Sequence, residues 1–340
     1  MNKNINSVGI IANPASGRDI RRLVAHGSVF DNAEKVNIVR RILLALNNLK
    51  LDKVYIMPDS YKIGNEAVNG LWGEEKENFK LEVDILKMDI TSTAEDSFTA
   101  AALMEKNNVD VIIVLGGDGT NRVVVKALKK TPILSLSTGT NNVFPIMAES
   151  TMLGMAAGLY TKLSEEDRKK VKRPIKCINI IKDGEIIDIA LIDAVLVNES
   201  YIGSRALWHT ELLEEIFVTR STSHDIGMVS IAGRMTEVNE KDAGGVFLKV
   251  GEKGKVIKAA IAPGVIKNIP IADWRKIKQE EIVEFRPKKR IIALDGEREL
   301  VIKKDEKLSM QLSFASAEFL EYEEVLRLAD SKNMLEVIES

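Results

Sequence analysis

The chain has 340 residues, of which 45% are hydrophobic and 29% are charged, and its 48 basic and 50 acidic side chains leave a formal net charge of −2. This composition is typical of a globular protein of about two domains, and the near balance of charge argues against a nucleic acid as the main partner. One cysteine and three histidines exclude an internal disulfide framework and a zinc site built from several thiolates.

The first third of the chain alternates strand patterns with helical patterns. The predicted strands are 8–12, 54–57, 81–86, 109–115 and 133–136, and the predicted helices are 31–49, 92–106 and 121–129. Asp31 is the expected N-cap of the first helix. Strand 109–115 is apolar apart from Asp110, which is typical of a strand covered on both faces. This order predicts an α/β domain with a parallel, Rossmann-like sheet.

The pattern changes after about residue 145. A helix is predicted at 150–163, followed by a charged stretch at 165–173 that we interpret as a linker or a solvated face. Further strands are predicted at 177–181, 185–197, 227–232, 245–250, 256–262, 281–285 and 290–294, and a helix from 317 onward. We therefore predict an α/β domain over 1–147, with 316–340 packing back on it, and a β-rich, sandwich-like domain over 148–315.

Three polar, glycine-containing loops follow three of the predicted parallel strands. We call residues 13–17 the first loop, 116–120 the second loop and 137–142 the third loop. Adjacent glycines let a backbone approach phosphate oxygens, and amides at a helix start favour anions. One such loop could equally be a tight turn capped by Thr120, but three loops at one sheet edge predict a nucleotide site.

Asp118 stands out within the second loop. A carboxylate among phosphate-binding amides is unfavourable unless it meets a metal ion or accepts a proton, so Asp118 is a candidate catalytic residue.

Three motifs resemble those of a known superfamily. Gly-Gly-Asp-Gly-Thr at 116–120, Thr-Gly-Thr-Asn at 138–141 and Asp-Gly-Glu at 295–297 occur in the order found in the ATP–NAD kinase and diacylglycerol kinase superfamily. The stretches 13–17, 28–41 and 116–122 are similar to the subgroup named for acetoin-catabolism protein X, which is classed as ATP–NAD-kinase-like. The resemblance spans nearly the whole chain and implies an active site between the two domains that uses ATP and Mg²⁺.

The resemblance also implies roles for individual residues. Asp118 and Asp295 fill the places of two different catalytic bases in the superfamily, and Asn198 and Glu199 resemble the pair that holds the nicotinamide ribose in NAD kinases. The residues expected to hold the nucleotide are Asn13, Ser16, Gly116, Gly117, Gly119, Thr120, Asn121, Thr138, Gly139, Thr140 and Asn141.

Two of these assignments have structural alternatives. Asp295-Gly296 lies between two strand patterns and could be an ordinary hairpin turn, and the second Asp-Gly-Glu at 183–185 has the same setting. An Asn-Glu pair after a strand is common in any protein. The sequence alone does not separate these alternatives.

The sequence also departs from its relatives. Lipid kinases usually have a glutamate three residues after the threonine of the second loop, where this chain has Val123, while the third loop is more lipid-kinase-like. We favour a kinase that phosphorylates NAD or a similar small soluble metabolite. The alternatives are a lipid kinase, and a non-catalytic nucleotide-binding regulator linked to acetoin catabolism. Cytoplasmic location, no membrane partner, no nucleic-acid partner and, by resemblance, self-association are expected.

Overall fold

The fold was obtained as a computed structural model that describes residues 5–17, 31–139, 142–199, 210–286 and 288–336. Over these residues the protein has fifteen strands, nine helices and a 3₁₀ turn, Thr210–Leu212. None of the described helices combines the length and apolar character required to cross a membrane.

The first domain contains parallel strands and the helices that cover them. The strands are β1 (Ser7–Ala12), β2 (Lys53–Ile56), β3 (Glu82–Ile85), β4 (Val111–Gly116) and β5 (Ile133–Ser137). The helices are α1 (Asn32–Asn48), α2 (Ile63–Asn69), α3 (Glu74–Asn78), α4 (Ala94–Lys106), α5 (Asp118–Ala127), α6 (Ser150–Tyr160) and α7 (Glu165–Lys170). The strands pair in parallel in the order β3-β2-β1-β4-β5, which confirms the predicted α/β sheet.

Helices α1 and α5 differ in how they begin. The Asp31 carboxylate accepts a hydrogen bond from the Glu34 amide at 2.7 Å, which confirms the predicted N-cap of α1. Helix α5 begins at Asp118, three residues earlier than predicted, so the last part of the second loop is the first turn of a helix. Polar side chains in a first turn conceal the start of a helix from an apolar-periodicity pattern.

The second domain is a β-sandwich. Its strands are β6 (Lys172–Lys182), β7 (Glu185–Ala190), β8 (Asp193–Val197), β9 (Leu213–Val218), β10 (Gly245–Ala262), β11 (Val265–Ile277), β12 (Ile282–Phe285), β13 (Arg290–Leu294), β14 (Glu297–Ile302) and β15 (Leu308–Leu320). Its helix is α8 (Val229–Gly233). A six-stranded sheet, β11-β10-β9-β8-β13-β14, faces the layer of β7, β6, β15 and β12 across a core that includes Ile178, Phe217 and Met310. The predicted β-rich sandwich is confirmed.

One sheet runs through both domains. Strand β15 pairs in parallel with β5 through Phe319 and Ile133, and pairs antiparallel with β6 along its length. The register of β15 against β6 shifts between Phe314 and Glu318. The part of β15 before the shift belongs to the sandwich, and the part after it pairs with the α/β domain. The chain then ends its described part in α9 (Tyr322–Ser331), whose Val325 and Ala329 are buried in the core beneath α1 and α6.

Helix α6 also belongs to the first domain by its contacts. A Cβ on Gly154 would lie 2.9 Å from the Ala45 Cβ and 3.0 Å from the Ile42 carbonyl oxygen, so α6 and α1 pack at the closest distance that glycine allows. The predicted boundary at 147/148 assigns α6 to the second domain, although α6 packs against α1 of the first domain. We therefore propose a boundary near residue 171, where β6 begins.

Other sequence predictions failed at short segments. Residues 227–232 were predicted as a strand, but they form a short turn and most of helix α8. A run of apolar residues this short shows no periodicity that would distinguish a strand from a helix. The segments 245–250 and 256–262 are parts of the single strand β10, and the predicted helix from 317 begins only at Tyr322. The charged stretch 165–173 contains helix α7 and the start of β6.

Candidate functional site

The three glycine-containing loops meet at the carboxyl edge of the parallel strands. The Asn13 side-chain amide donates to the Thr120 hydroxyl at 2.8 Å, and the Ser16 and Thr138 hydroxyls lie 2.9 Å apart. The Thr138 amide donates to the Gly116 carbonyl at 3.3 Å. The structure therefore joins the first, second and third loops by direct hydrogen bonds, as the sheet topology requires.

Lys35 holds the first loop through hydrogen bonds to its backbone carbonyls. Our interpretation of the sequence did not identify this residue. Its Nζ donates to the Asn13 carbonyl at 2.8 Å, to the Ser16 carbonyl at 2.7 Å and to the Asn32 side-chain oxygen at 3.2 Å. The side chain is fully buried. The sequence signal was a lysine at the spacing of the apolar face of α1, where a solvated lysine does not fit.

The start of helix α5 offers room for an anion. The helix's first backbone bond runs from the Asn121 amide to the Gly117 carbonyl, so the preceding amides have no partner inside the helix. Among the described residues, a Cβ on Gly119 would meet no atom within 4 Å beyond its chain neighbours and its own helix backbone, whereas one on Gly117 would lie 2.7 Å from the Asn142 side chain. A compact anion can therefore approach the backbone at Gly119.

The Asp118 carboxylate binds backbone amides of the segment that follows the third loop. It accepts hydrogen bonds from the Val143 amide at 3.1 Å and from the Phe144 amide at 2.9 Å. These bonds fix the segment after the third loop against the start of α5. In this conformation the carboxylate anchors two loops to each other.

The Asp295 carboxylate is likewise turned onto backbone amides. It accepts from Leu191 at 3.0 Å and Ile192 at 2.8 Å, and more weakly from Asp193 at 3.3 Å. The Arg122 guanidinium lies 3.5 Å away. Burial raises the pKa of Asp295, and Arg122 and the amides oppose that rise.

The two Asp-Gly-Glu triplets, alike in sequence, differ sharply in the structure. Asp183 and Asp295 both adopt a left-handed backbone, with φ of 51° and 50°, as hairpin turns require. Asp183 is exposed and its carboxylate accepts from the Lys307 amide, whereas Asp295 is buried between the domains. Only Asp295 joins the candidate site.

Arg122 ties the second loop's helix to the second domain. It lies 3.5 Å from both Asp295 and Asp188, and Lys126, one turn later on α5, lies 2.8 Å from Asp188. The Arg122 side chain is only 5% exposed. Arg122 therefore connects α5 to the carboxylate that binds the Leu191 and Ile192 amides.

A small cavity lies between the domains beside this turn. Its volume is about 20 Å³, enough for a water molecule but not for a nucleotide. Apolar and polar groups of both domains line it, namely Phe144, Arg173, Lys176, Leu191, Ile192, Thr219, Arg220 and Glu240. Burial lowers the pKa of Lys176 to about 8, and its ammonium donates to three carbonyls of residues 239–244.

The remaining predicted site residues have mixed positions. Asn121 is fully buried and its side chain donates to the Gly117 carbonyl, so it supports the helix start. Asn198 and Glu199 follow the carboxyl end of β8, about 16 Å along the strand from Asp193 at the Asp295 end. The structure does not bring this pair to Asp295. Thr140 and Asn141 lie outside the described residues.

The described carboxylates do not fit a ready-made metal site. No group of three or more histidine, cysteine or acidic side chains able to hold a metal ion occurs within the described ranges. Asp118 and Asp295 use their oxygens for backbone amides, and Asp188 faces Arg122 and Lys126. A Mg²⁺ ion would have to be held mainly by the phosphates of a nucleotide.

Comparisons with known proteins agree with this two-part architecture. Residues 8–163 match the family model for the ATP-NAD kinase N-terminal domain, and residues 176–315 match that for the acetoin catabolism protein X C-terminal domain. The chain is 38% identical over 312 residues to acetoin catabolism protein X of Cupriavidus necator, covering 90% of this chain and 87% of that protein. An uncharacterized protein of Archaeoglobus fulgidus is 31% identical over 165 residues, 47% of this chain and 45% of that one.

One solved structure that resembles the chain is a putative diacylglycerol kinase from Bacillus anthracis. The alignment covers 94% of this chain and 98% of that one, with 14% sequence identity and a TM-score of 0.47.

Proposed function

The chain belongs to the acetoin catabolism protein X family, and from this premise we propose that it is an ATP-dependent, Mg²⁺-requiring kinase acting on a hydroxyl group of NAD or a related small soluble metabolite. The observation that carries the proposal is the junction of the three loops through Asn13–Thr120 and Ser16–Thr138. We further propose that the protein is cytoplasmic and self-associates.

The nucleotide's phosphates would lie on the second loop. The backbone at Gly119 is open, and the amides of the first turn of α5 favour negative charge. Asn13, Ser16, Thr120 and Thr138 hold the loops in register through their side-chain bonds. Positioning of this kind is the larger part of phosphoryl-transfer catalysis.

We assign different tasks to the two aspartates. Asp118 would position the segment after the third loop, since its oxygens already accept from Val143 and Phe144. Asp295 would be the general base, because burial raises its pKa above the ordinary value and its carboxylate binds the amides of Leu191 and Ile192, which line the interdomain cavity. This role requires its carboxylate to leave at least one amide when an acceptor hydroxyl arrives.

Mg²⁺ would supply charge neutralisation at the phosphates as part of the nucleotide complex. Because the described residues do not fit a metal site of their own, no step of the proposal depends on a protein-bound ion.

A second candidate function has one observation in its favour. Both candidate carboxylates are fully engaged with backbone amides, which suits a nucleotide-binding regulator that transfers no phosphate. A lipid kinase is less favoured, because charged side chains, among them Arg173, Lys176 and Arg220, share the lining of the interdomain cavity with apolar ones, whereas a lipid acceptor needs a mainly apolar cleft.

The test is to incubate the protein with Mg²⁺ and γ-labelled ATP, together with NAD or with diacylglycerol micelles, and to follow the label. Label in NADP supports the proposal, and label in phosphatidic acid replaces it with the lipid kinase. ATP binding without transfer to either acceptor favours the regulator. Absence of ATP binding would overturn the assignment of the three loops.

A further inference from the structure

We propose that Arg173 and Arg220 form an oxyanion-binding subsite for the acceptor, and that the carboxylate of Glu240 occupies this subsite in the present structure. The inference rests on the proposed function and deepens it. The acceptor would be a small hydroxyl compound that also carries a phosphate, diphosphate or carboxylate group.

Glu240 bridges the two arginines with its two oxygens. One oxygen lies 2.9 Å from an Arg173 nitrogen, and the other hydrogen-bonds an Arg220 nitrogen. The arginine side chains are 11% and 13% exposed, whereas that of Glu240 is 37% exposed. The cations are therefore fixed inside the cavity, and the anion that joins them reaches in from the surface.

Other contacts hold each guanidinium in place without Glu240. Arg173 stacks 4.3 Å above the Phe319 ring and lies 3.7 Å from Glu321, which also pairs with Lys241. Arg220 pairs with Asp225 at 3.0 Å. Two planar forks facing one space match the oxygens of a phosphate or carboxylate.

Arg220 also has bonding capacity that the described residues do not use. Its buried Nε has no hydrogen-bond partner among them. An unpaired donor of this kind costs free energy unless a ligand or water accepts from it. The donor lies on a side chain that lines the cavity, so an oxyanion there would satisfy it.

The cavity can enlarge by moving one side chain. Its volume of about 20 Å³ is too small for a phosphate group while Glu240 is inside. The backbone of the 239–244 loop is held by Lys176, which donates to the Asn239, Asp242 and Gly244 carbonyls at 2.8–3.1 Å. Glu240 can therefore swing outward without unfolding the loop, and the acceptor's anion takes its place.

The position of the subsite suits an acceptor. Leu191 and Ile192, whose amides bind Asp295, line the same cavity as the two arginines. An anion held by Arg173 and Arg220 would therefore place the rest of the molecule next to the proposed base.

The test measures anion binding by calorimetry with ADP present at saturation, which keeps the three loops occupied. Inorganic phosphate and glycerate are the two probes, and they distinguish a phosphorylated acceptor from a hydroxycarboxylic acid. We expect Glu240→Gln to tighten binding of one probe by about tenfold, because the competing charge is removed. Arg220→Lys or Arg173→Lys should abolish that gain.

Glu281→Gln is the matched control, because Glu281 also pairs with an arginine, Arg275 of strand β11, and neither residue lines the cavity. It should leave both affinities unchanged. Equal affinities in Glu240→Gln and the wild type, or a gain that survives both arginine substitutions in variants with native melting curves, would overturn the subsite. The label-transfer assay is separate: the subsite can fail while phosphate is transferred, and it can hold while no transfer occurs.

Discussion

The Asp295 carboxyl group has a structural role in addition to the catalytic role proposed for it. Three backbone amides and Arg122 surround the carboxylate, whereas the Asp183 carboxylate in the matching hairpin accepts from the Lys307 amide. The order of the motifs singled out Asp295 as a candidate catalytic residue. The identical triplet at 183–185 shows that the local sequence does not distinguish a buried aspartate from one in an exposed turn. Burial and partners come from the packing of two domains, which no local pattern contains. Lys35, by contrast, lies at the spacing of the apolar face of α1, a local signal that our interpretation of the sequence overlooked.

Asp295→Asn should destabilise the protein by about 3 kcal/mol or more, since it leaves Arg122 partly uncompensated and places an amide against backbone donors. Asp183→Asn, in the exposed copy of the same turn, should cost less than about 1 kcal/mol. Urea unfolding of both variants measures the difference. Equal losses would mean that the contacts of Asp295 contribute no more than those of a surface turn.

Gly119→Ala should separate binding from stability. The added Cβ would contact no side chain or other segment among the described residues, and alanine favours a helix, so the melting temperature should stay the same or rise slightly. The methyl group would occupy the space where a phosphate approaches, and ATP affinity should fall at least about tenfold. Calorimetry and thermal melting together test this. Unchanged ATP affinity would place the phosphates elsewhere.

At the scale of elements, strong periodicity predicted well and short segments did not. Strands β1, β4 and β5 and helix α1 lie within a few residues of their predicted bounds, because each has a clear apolar pattern. Helix α8 was predicted as a strand, and β11, with its alternation interrupted by exposed residues, was not predicted. The contact of α6 with α1 depends on Gly154, whose role only the packed helices reveal.

Gly154→Val should destabilise the protein by about 1–3 kcal/mol, because the side chain would collide with Ala45 and the α1 backbone. Met152→Val is the control: it places the same residue in the same helix at an exposed position. Thermal melting of the two variants isolates the collision from the helix propensity of valine. A similar loss in both would mean that the helices separate at little cost.

At the scale of the whole molecule, the two domains share a sheet and a core. One apolar cluster runs from Met104 and Val124 in the first domain to Leu191 and Ile216 in the second. The sequence predicted two domains with separate sheets, because the pairing of β15 with β5 joins residues nearly 190 positions apart. Sequence patterns indicate which segments form strands but not which distant strands pair.

Lys176 gives the whole molecule a pH-dependent stability. Its pKa falls from 10.5 to about 8 on folding, so between these values the unfolded chain binds more protons than the folded one. Stability should therefore rise with pH across this window, by at most about 3 kcal/mol relative to a Lys176→Met variant. Lys267→Met, at an exposed position of β11, should retain the wild-type rise. Parallel pH profiles for the wild type and Lys176→Met would contradict the assignment.

Because β15 and α9 complete the first domain from the end of the chain, the order of synthesis affects when this domain can finish folding. The ribosome synthesises α1 and α6 early. Their apolar surfaces pack against Leu320 and Val325, which are synthesised roughly 150 residues after the domain boundary near residue 171. At ordinary rates of synthesis this delay is about 10–30 s. During that time the nascent first domain exposes an apolar surface, and the edge of β5 has no β15 strand to pair with. We therefore expect the core of the first domain to be completed only after α9 has been synthesised.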